Sequence, residues 1–146
     1  MNISVGVTVD APPDVVWDAI EAIERHVEWM ADAESITFTS ATTRGTGTEF
    51  DCLTRVGPLR TVDHMVVTEW EPGRAMGIRH AGLVRGEGRF TLVDRPGGRT
   101  RFTWTEELLF PARMGGALGG AAAKPVLRAV WRRNLRRLQA IVEDRS

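Results

Sequence analysis

Glu106 has the setting in which an acidic side chain can do chemistry. In RTRFTWTEEL it lies two residues after Trp104, and strand alternation would place both side chains on one face. If that face is buried, the carboxylate must be paired, or protonated through a raised pKa. Such an acid can move a proton or orient a ligand hydroxyl. Alternatively, Glu106 lies at the strand end and reaches water or an arginine, as most glutamates do.

Histidine and cysteine supply the other reactive groups. His80 is either an acid–base group or ligand contact, or a turn residue before Ala-Gly-Leu; His64 has similar alternatives, and we expect His26 on the surface at a helix break. None of these histidines has the short helical spacing of a zinc motif, and Cys52 is the only cysteine, so we predict no metal site. Cys52 could act as a nucleophile with His64 as base, but a small buried hydrophobic residue is favoured. Glu106 and His80 are therefore the candidate catalytic residues.

Two further motifs do not match known phosphate or nucleic-acid patterns. Gly115 to Gly120, in RMGGALGGAAAK, lacks the Gly-Lys-Ser/Thr ending of a phosphate loop and predicts a frayed helical entry, a mobile lid or a flexible connector. The arginines of RAVWRRNLRRLQ alternate with an apolar stripe, so their stems can cover apolar surface. The formal net charge is zero. We therefore expect no nucleic-acid partner.

The composition is that of an ordinary globular protein. The chain has 146 residues, enough for one domain over residues 1–146 with a substantial core. No apolar run reaches the roughly 20 residues of a membrane span, and the N-terminus lacks a signal-peptide pattern. We therefore expect a cytoplasmic, soluble protein without a cofactor, either a monomer or a homodimer.

The positioning elements follow from periodicity. NISVGVTVD alternates as a half-buried strand, APP ends it, and apolar residues from Asp14 repeat at helical spacing, with a second short turn after a break near His26. A long helix is predicted from about Pro125 to Asp144. Short turns favour antiparallel pairing and an α+β fold. The remaining candidate strands are Ile36–Thr42, Thr48–Arg55, Arg60–Glu71, Ala75–His80, Leu83–Asp94 and Thr100–Phe110.

Three segments in this order carry a family resemblance: APPDVVWDAIEAIERHVEWM, VVTEWEPGRAMGIRH, and GGRTRFTWTEEL followed by RRNLRRLQAIVED. The chain resembles the START/Bet v 1-like superfamily, in particular the bacterial polyketide cyclase/dehydrase and lipid transport proteins. The resemblance implies a helix-grip fold, in which a curved antiparallel sheet of six or seven strands wraps around a long C-terminal helix. It also implies a cavity between them, closed at one end by the two short helices, with Trp17 in the core and Trp29 near the rim.

Strand parity selects the residues that would face this cavity. Gly88 shares a face with Phe90, and its missing side chain could leave room there. The fourth strand is ambiguous: Met65 and Val67 compete with His64 and Trp70 for the inner face, and a bulge would let both faces contribute. The predicted ligand-binding residues are Trp29, Phe50, Cys52, Met65, Val67, Met76, Ile78, His80, Phe90, Trp104, Glu106, Leu127 and Trp131.

Three functions remain open from the sequence. The first is binding of a small hydrophobic or amphipathic molecule, such as a lipid, polyketide, isoprenoid or aromatic metabolite. The second is a cofactor-independent cyclase or dehydratase that uses a cavity carboxylate or histidine. The third is a protein–protein role with a filled groove and an exposed apolar patch. Two polar groups within hydrogen-bond reach deep in the cavity would favour an enzyme, and one isolated polar group would favour binding.

Overall fold

The computed structural model describes residues 1–145 as a seven-stranded antiparallel sheet with two α-helices. The predicted α+β helix-grip fold is confirmed. The strands lie side by side in the order β1-β7-β6-β5-β4-β3-β2. The elements are β1 (Asn2–Val9), α1 (Pro13–Ile20), a 3-10 helix (Ile23–Glu28), β2 (Ala33–Phe38), β3 (Glu49–Val56), β4 (Leu59–Glu71), β5 (Ala75–Ala81), β6 (Arg85–Arg95), β7 (Arg99–Leu109), a 3-10 helix (Ala112–Met114) and α2 (Gly116–Arg145).

The N-terminal elements follow the predicted change of period. In β1, Ile3, Val5 and Val9 are buried, and Pro13 begins α1, where its missing N–H costs nothing. The predicted break near His26 is wrong, because the chain leaves α1 at Glu21 and Ala22 adopts an extended backbone. His26 therefore lies inside the following 3-10 helix.

Strand β4 resolves its ambiguity through the predicted bulge. Its pairing register with β5 shifts between Val67 and Glu69. Before the shift Met65 and Val67 are buried, and after it Trp70 turns toward Trp17, with ring centroids 5.3 Å apart. His64 stays on the outer face. Of the two competing sets, Met65 and Val67 therefore face the interior before the bulge, and only Trp70 of the other set does so after it.

Strand β2 ends at Phe38 instead of continuing to Thr42. The Ser40 hydroxyl donates to the Thr42 carbonyl and accepts from the Glu49 N–H, and these bonds replace strand pairing with a turn. The periodicity of the sequence alone did not reveal this local competition.

Helix α2 begins at Gly116, earlier than the predicted start near Pro125. Its first turn packs closely: a Cβ at Gly119 would overlap the Met114 carbonyl, and one at Gly120 would lie 3.8 Å from Phe110. Of the glycines that suggested a lid or connector, Gly116, Gly119 and Gly120 are helical, and Gly115 is a left-handed residue just before the helix. Gly119 and Gly120 permit this contact. The helix is about 45 Å long at 1.5 Å per residue. Within residues 1–145, no helix is long and apolar enough to cross a membrane.

The apolar stripe of α2 closes the core against the concave face of the sheet. Trp131, Leu135, Leu138 and Val142 are buried, and the helix runs mainly along β1. The arginines at positions 132, 133, 136 and 137 are exposed, so their charges remain in solvent.

Candidate functional site

A cavity of about 350 Å³ lies between the concave face of the sheet and the first half of α2. This volume is at the lower end of the range of roughly 300–1,000 Å³ that is usual for small-molecule sites. Its wall is mostly apolar, and the 3-10 helix at Ile23–Glu28 contributes Ile23 and His26. The groove is therefore open and is not filled by side chains.

Eleven of the thirteen predicted ligand-binding residues line this cavity, and strand alternation explains why. Neighbouring antiparallel strands place their alternate side chains on the same concave face. Helix α2 adds two residues from the opposite side. The eleven are Phe50, Cys52, Met65, Met76, Ile78, His80, Phe90, Trp104, Glu106, Leu127 and Trp131.

Trp29 and Val67 are the two exceptions. Trp29 was expected near the rim, but it is only 1% exposed and packs among Phe90, Phe102 and Trp104 beneath the cavity floor. Val67 is equally buried in the core. Both side chains face inward as their pattern indicates, but neighbouring side chains separate them from the open volume.

Glu106 is buried in the cavity wall and is held by two donors. Its residue is 5% exposed. His80 Nε2 donates to Glu106 Oε2 at 2.8 Å, and Trp104 Nε1 donates to Oε1 at 3.0 Å. The expected requirement that a buried carboxylate be paired is thus met by two side chains of the cavity wall. The alternative, in which Glu106 reaches water or an arginine, is wrong.

The His80–Glu106 pair spans a strand that lies between its members. His80 is on β5 and Glu106 is on β7, while Gly88 of β6 is the direct register partner of Glu106. A Cβ on Gly88 would lie 2.6 Å from the Glu106 carboxyl carbon. The carboxylate therefore occupies the room that the glycine leaves, and the hydrogen bond to His80 depends on that room.

The surroundings of His80 shift the pKa of its imidazole. Burial lowers the pKa of His80, but the hydrogen bond from His80 to Glu106 and the negative charges of Glu106 and Asp63 outweigh it, so the pKa of His80 is raised. His80 is thereby favoured as an imidazolium beside the carboxylate. Such a pair can donate or accept a proton in an apolar setting.

Asp63 is a third polar group of the cavity wall, and the sequence reasoning did not select it. It is 9% exposed, and its Oδ2 accepts a hydrogen bond from Thr54 Oγ1 at 2.9 Å. Burial raises the pKa of Asp63, and the charges of Glu106 and Asp32 act in the same direction, against the opposing effect of Thr54 and His80. Its alternation with Met65 on β4 was the signal that could have identified it.

Of the two remaining histidines, His26 contradicts its predicted position, and His64, whose role the sequence left open, does not line the cavity. His26 is 5% exposed, and its Nε2 donates to the Ile20 carbonyl at 2.7 Å. Burial lowers the pKa of His26 to about 4, so it is neutral near pH 7. The expected surface position is wrong because the sheet, including Phe90, covers this side of the 3-10 helix. His64 lies on the outer face between Asp51 and Glu49.

Cys52 has none of the features of an activated nucleophile. Burial raises the pKa of its thiol to about 11. His64, its candidate base, bonds Asp51 and Glu49 on the opposite face of the sheet. The favoured interpretation, a small buried hydrophobic residue, agrees with this geometry. Among residues 1–145 no group of three histidine, cysteine or acidic side chains is arranged to hold a metal ion.

Asp32 anchors α2 over the cavity. Its carboxylate accepts from Trp131 Nε1 at 3.1 Å and from Asn134 Nδ2 at 2.8 Å, while Asn134 Oδ1 accepts from the Ala31 N–H at 3.0 Å. Trp131 stacks on Trp104 with centroids 4.7 Å apart and planes 20° from parallel. Helix α2 and the part of the cavity wall around Trp104 are thereby held in one arrangement.

Comparisons with known proteins agree with this architecture. A family model described as polyketide cyclase / dehydrase and lipid transport matches residues 1–143. No curated protein matches the sequence. The structure is similar to that of a protein from Thermus thermophilus, at 16% identity and a TM-score of 0.82, covering 100% of this chain and 99% of the other.

Two further solved structures have the same fold. One is the Zhui aromatase/cyclase of a Streptomyces species, at 19% identity and a TM-score of 0.76, covering 99% of this chain and 94% of that one. The other is a conserved protein of Geobacillus kaustophilus, at 14% identity and a TM-score of 0.79, covering 99% and 96%. At these identities the likeness concerns the fold.

Proposed function

Because the chain belongs to the polyketide cyclase/dehydrase and lipid transport family, we propose that it binds a small, largely apolar molecule in the cavity between the sheet and α2. One observation carries this proposal: an open, mostly apolar volume of about 350 Å³ whose wall includes the hydrogen-bonded pair of His80 and Glu106. Apolar burial would supply affinity, and His80 with Glu106 would orient a polar group of the ligand.

The expected affinity sets the range of a titration. Burying roughly 200–280 Å² of apolar ligand surface contributes about 5–7 kcal/mol at 25 cal/mol per Å². That free energy corresponds to dissociation constants of roughly 10–200 µM before other costs and gains. Titrations should therefore extend from about 1 µM to 1 mM of ligand.

Native mass spectrometry of the purified protein is the first test, followed by denaturation and chemical identification of any molecule released. Ile78→Trp places a large side chain in the cavity, and Val93→Trp places the same side chain at an exposed position of β6. We expect the wild type and V93W to release a bound molecule, or to bind apolar dyes, and I78W to do neither. Equal dye binding by I78W, or no binding by any form, would contradict the proposal.

A second candidate function is catalysis, and the buried His80–Glu106 hydrogen bond is the observation that favours it. It meets the criterion of two polar groups within hydrogen-bond reach in the cavity. The pair could take a proton from a carbon between two carbonyls and return one to the oxygen of the carbonyl that is attacked. The new carbon–carbon bond would close a ring without a net change in the pair.

This candidate is tested with a linear poly-β-ketone thioester as substrate and ring closure as the readout. General acid–base catalysis typically contributes about 100- to 10,000-fold, so Glu106→Gln and His80→Gln should lower the rate by at least about 100-fold. Glu107→Gln, on the opposite face of the same strand, is the matched control. If the wild type and all three variants close the ring at the same rate, and that rate is above the uncatalysed rate, the pair takes no part in catalysis.

A further inference from the structure

The cavity wall has more acidic than basic side chains. The acidic side chains of Asp32, Asp63 and Glu106 all line it. Among the lining residues within positions 1–145, Arg89 is the only lysine or arginine, and its guanidinium pairs with Glu69 at 2.7 Å on the outer face of the sheet. The cavity therefore has no lysine or arginine available to neutralise an anionic ligand.

The histidines of the wall do not supply a free cation either. His80 already donates to the Glu106 carboxylate, so its positive charge is matched within the pair. His26 donates its Nε2 hydrogen to the Ile20 carbonyl and lies buried beside Phe90. A carboxylate or phosphate entering this volume would meet the acids without a compensating partner.

Asp63 stands apart from the other two acids because it is incompletely satisfied. Asp32 is held by Trp131 and Asn134, and Glu106 by His80 and Trp104. Asp63 Oδ2 accepts from Thr54, whereas the buried Oδ1 has no hydrogen-bond partner among residues 1–145. An unpartnered buried acceptor costs free energy, and because Asp63 lines the cavity, a rotation of its carboxylate would let a donor from a ligand reach this oxygen.

We propose that Asp63 is a specificity-determining residue of the ligand site, one that excludes carboxylate and phosphate ligands and favours ligands presenting a hydroxyl donor. This inference rests on the proposed binding function. Two like charges about 6 Å apart at an effective dielectric constant of about 20 repel each other enough to weaken binding by roughly 100-fold. A hydroxyl escapes that repulsion and can donate to the carboxylate.

Probes that share one ring system test the inference. Naphthalene, 2-naphthol and 2-naphthoate are titrated by calorimetry at pH 8, which favours ionised Asp63, against the wild type, Asp63→Asn and Asp51→Asn. Asp51 is the matched control, since it lies on the outer face of the neighbouring strand β3 and bonds His64. Circular dichroism and thermal melting verify that each variant is folded.

We expect the wild type to bind 2-naphthol at least 10-fold more tightly than 2-naphthoate, and 2-naphthoate more weakly than naphthalene. Any apolar cavity disfavours a carboxylate to some extent, so the ratio of the two affinities in D63N is decisive. D63N should reduce that ratio by about 10-fold or more, and D51N should leave it unchanged.

The outcomes separate this inference from the function on which it rests. If the wild type binds 2-naphthoate as tightly as 2-naphthol, or if folded D63N keeps the wild-type ratio, the role of Asp63 is refuted while binding stands. If D63N does not fold, the ratio of the two affinities is measured in Asp63→Ser, which also removes the charge, and a wild-type ratio in folded D63S refutes the role of Asp63. If no probe binds, the binding function itself fails, and the inference fails with it.

Discussion

Replacing Gly88 with alanine adds one methyl group at the point where the His80–Glu106 pair crosses β6. The new Cβ would lie 2.6 Å from the carboxyl carbon of Glu106, far inside van der Waals contact. Gly88 also faces the buried side of a central strand, so the backbone cannot move away without disturbing β5 and β7. We expect the Glu106 carboxylate to be displaced.

The magnitude follows from the two hydrogen bonds that hold this carboxylate. A hydrogen bond to a charged group contributes about 1.5–3 kcal/mol, so losing the bond from His80 and straining that from Trp104 should cost about 2–4 kcal/mol. Alanine is intrinsically better than glycine inside a strand by roughly 0.5–1 kcal/mol, which offsets part of this cost. The net expectation is a loss of about 1–3.5 kcal/mol in the free energy of unfolding.

A double-mutant cycle with Glu106→Ala provides the assay, with urea unfolding as the measurement. If alanine at position 88 acts through the carboxylate, it should cost little in the E106A background, so the two effects are not additive. The pKa of His80, followed by NMR, should fall in G88A because burial remains while the partner is lost. Gly6→Ala on β1 is the control, since its Cβ meets only the flexible end of exposed Arg101.

Additive costs in the cycle, or an unchanged His80 pKa in a destabilised G88A, would refute this reasoning. Either result would mean that alanine acts on the strand backbone and that the carboxylate does not depend on the space above Gly88. A cost in G6A as large as that in G88A would point to the same conclusion.

Three further predictions concern buried polar groups. His26 has a pKa near 6.5 in the unfolded chain but about 4 in the native protein. The free energy of unfolding should therefore fall by up to roughly 3 kcal/mol as the pH drops between these values. His26→Gln should flatten this pH dependence in acid titrations. Asn134→Ala removes two hydrogen bonds at a fully buried site and should cost about 2–3 kcal/mol in urea unfolding. The control, Gln139→Ala, removes one hydrogen bond of a half-buried side chain and should cost less than about 1 kcal/mol. The thiol of Cys52, with a pKa of about 11, should react with a disulfide reagent at pH 7.5 far more slowly than in urea; equal rates would mean that it is accessible.

Much of the cavity wall could be predicted because alternation is a property of neighbouring residues. In β3, the alternation of apolar Phe50 and Cys52 with charged Glu49 and Asp51 predicted the inner face. Trp104 and Glu106 share a face of β7 for the same reason. The bulge in β4 was also foreseeable, because the apolar residues of that strand change parity along its length.

The start of α2 could not be predicted in this way. Glycine and proline lower helix propensity, so Gly115 to Gly120 and Pro125 predicted a later beginning. In the folded protein those glycines let the helix approach Met114 and Phe110 closely, and tertiary packing outweighs the local preference. Propensity describes an isolated segment and does not include this contact.

The family, the order of elements and the facing of the strands were determined by the order of residues along the chain. Only the tertiary structure decided that Glu106 reaches His80 across Gly88, that His26 is covered by the sheet, and that Asp63 retains an unpartnered oxygen. The reason is that each outcome depends on strand order and register, which join residues far apart in the chain. Periodicity reports which way a side chain points, but not which side chain it meets.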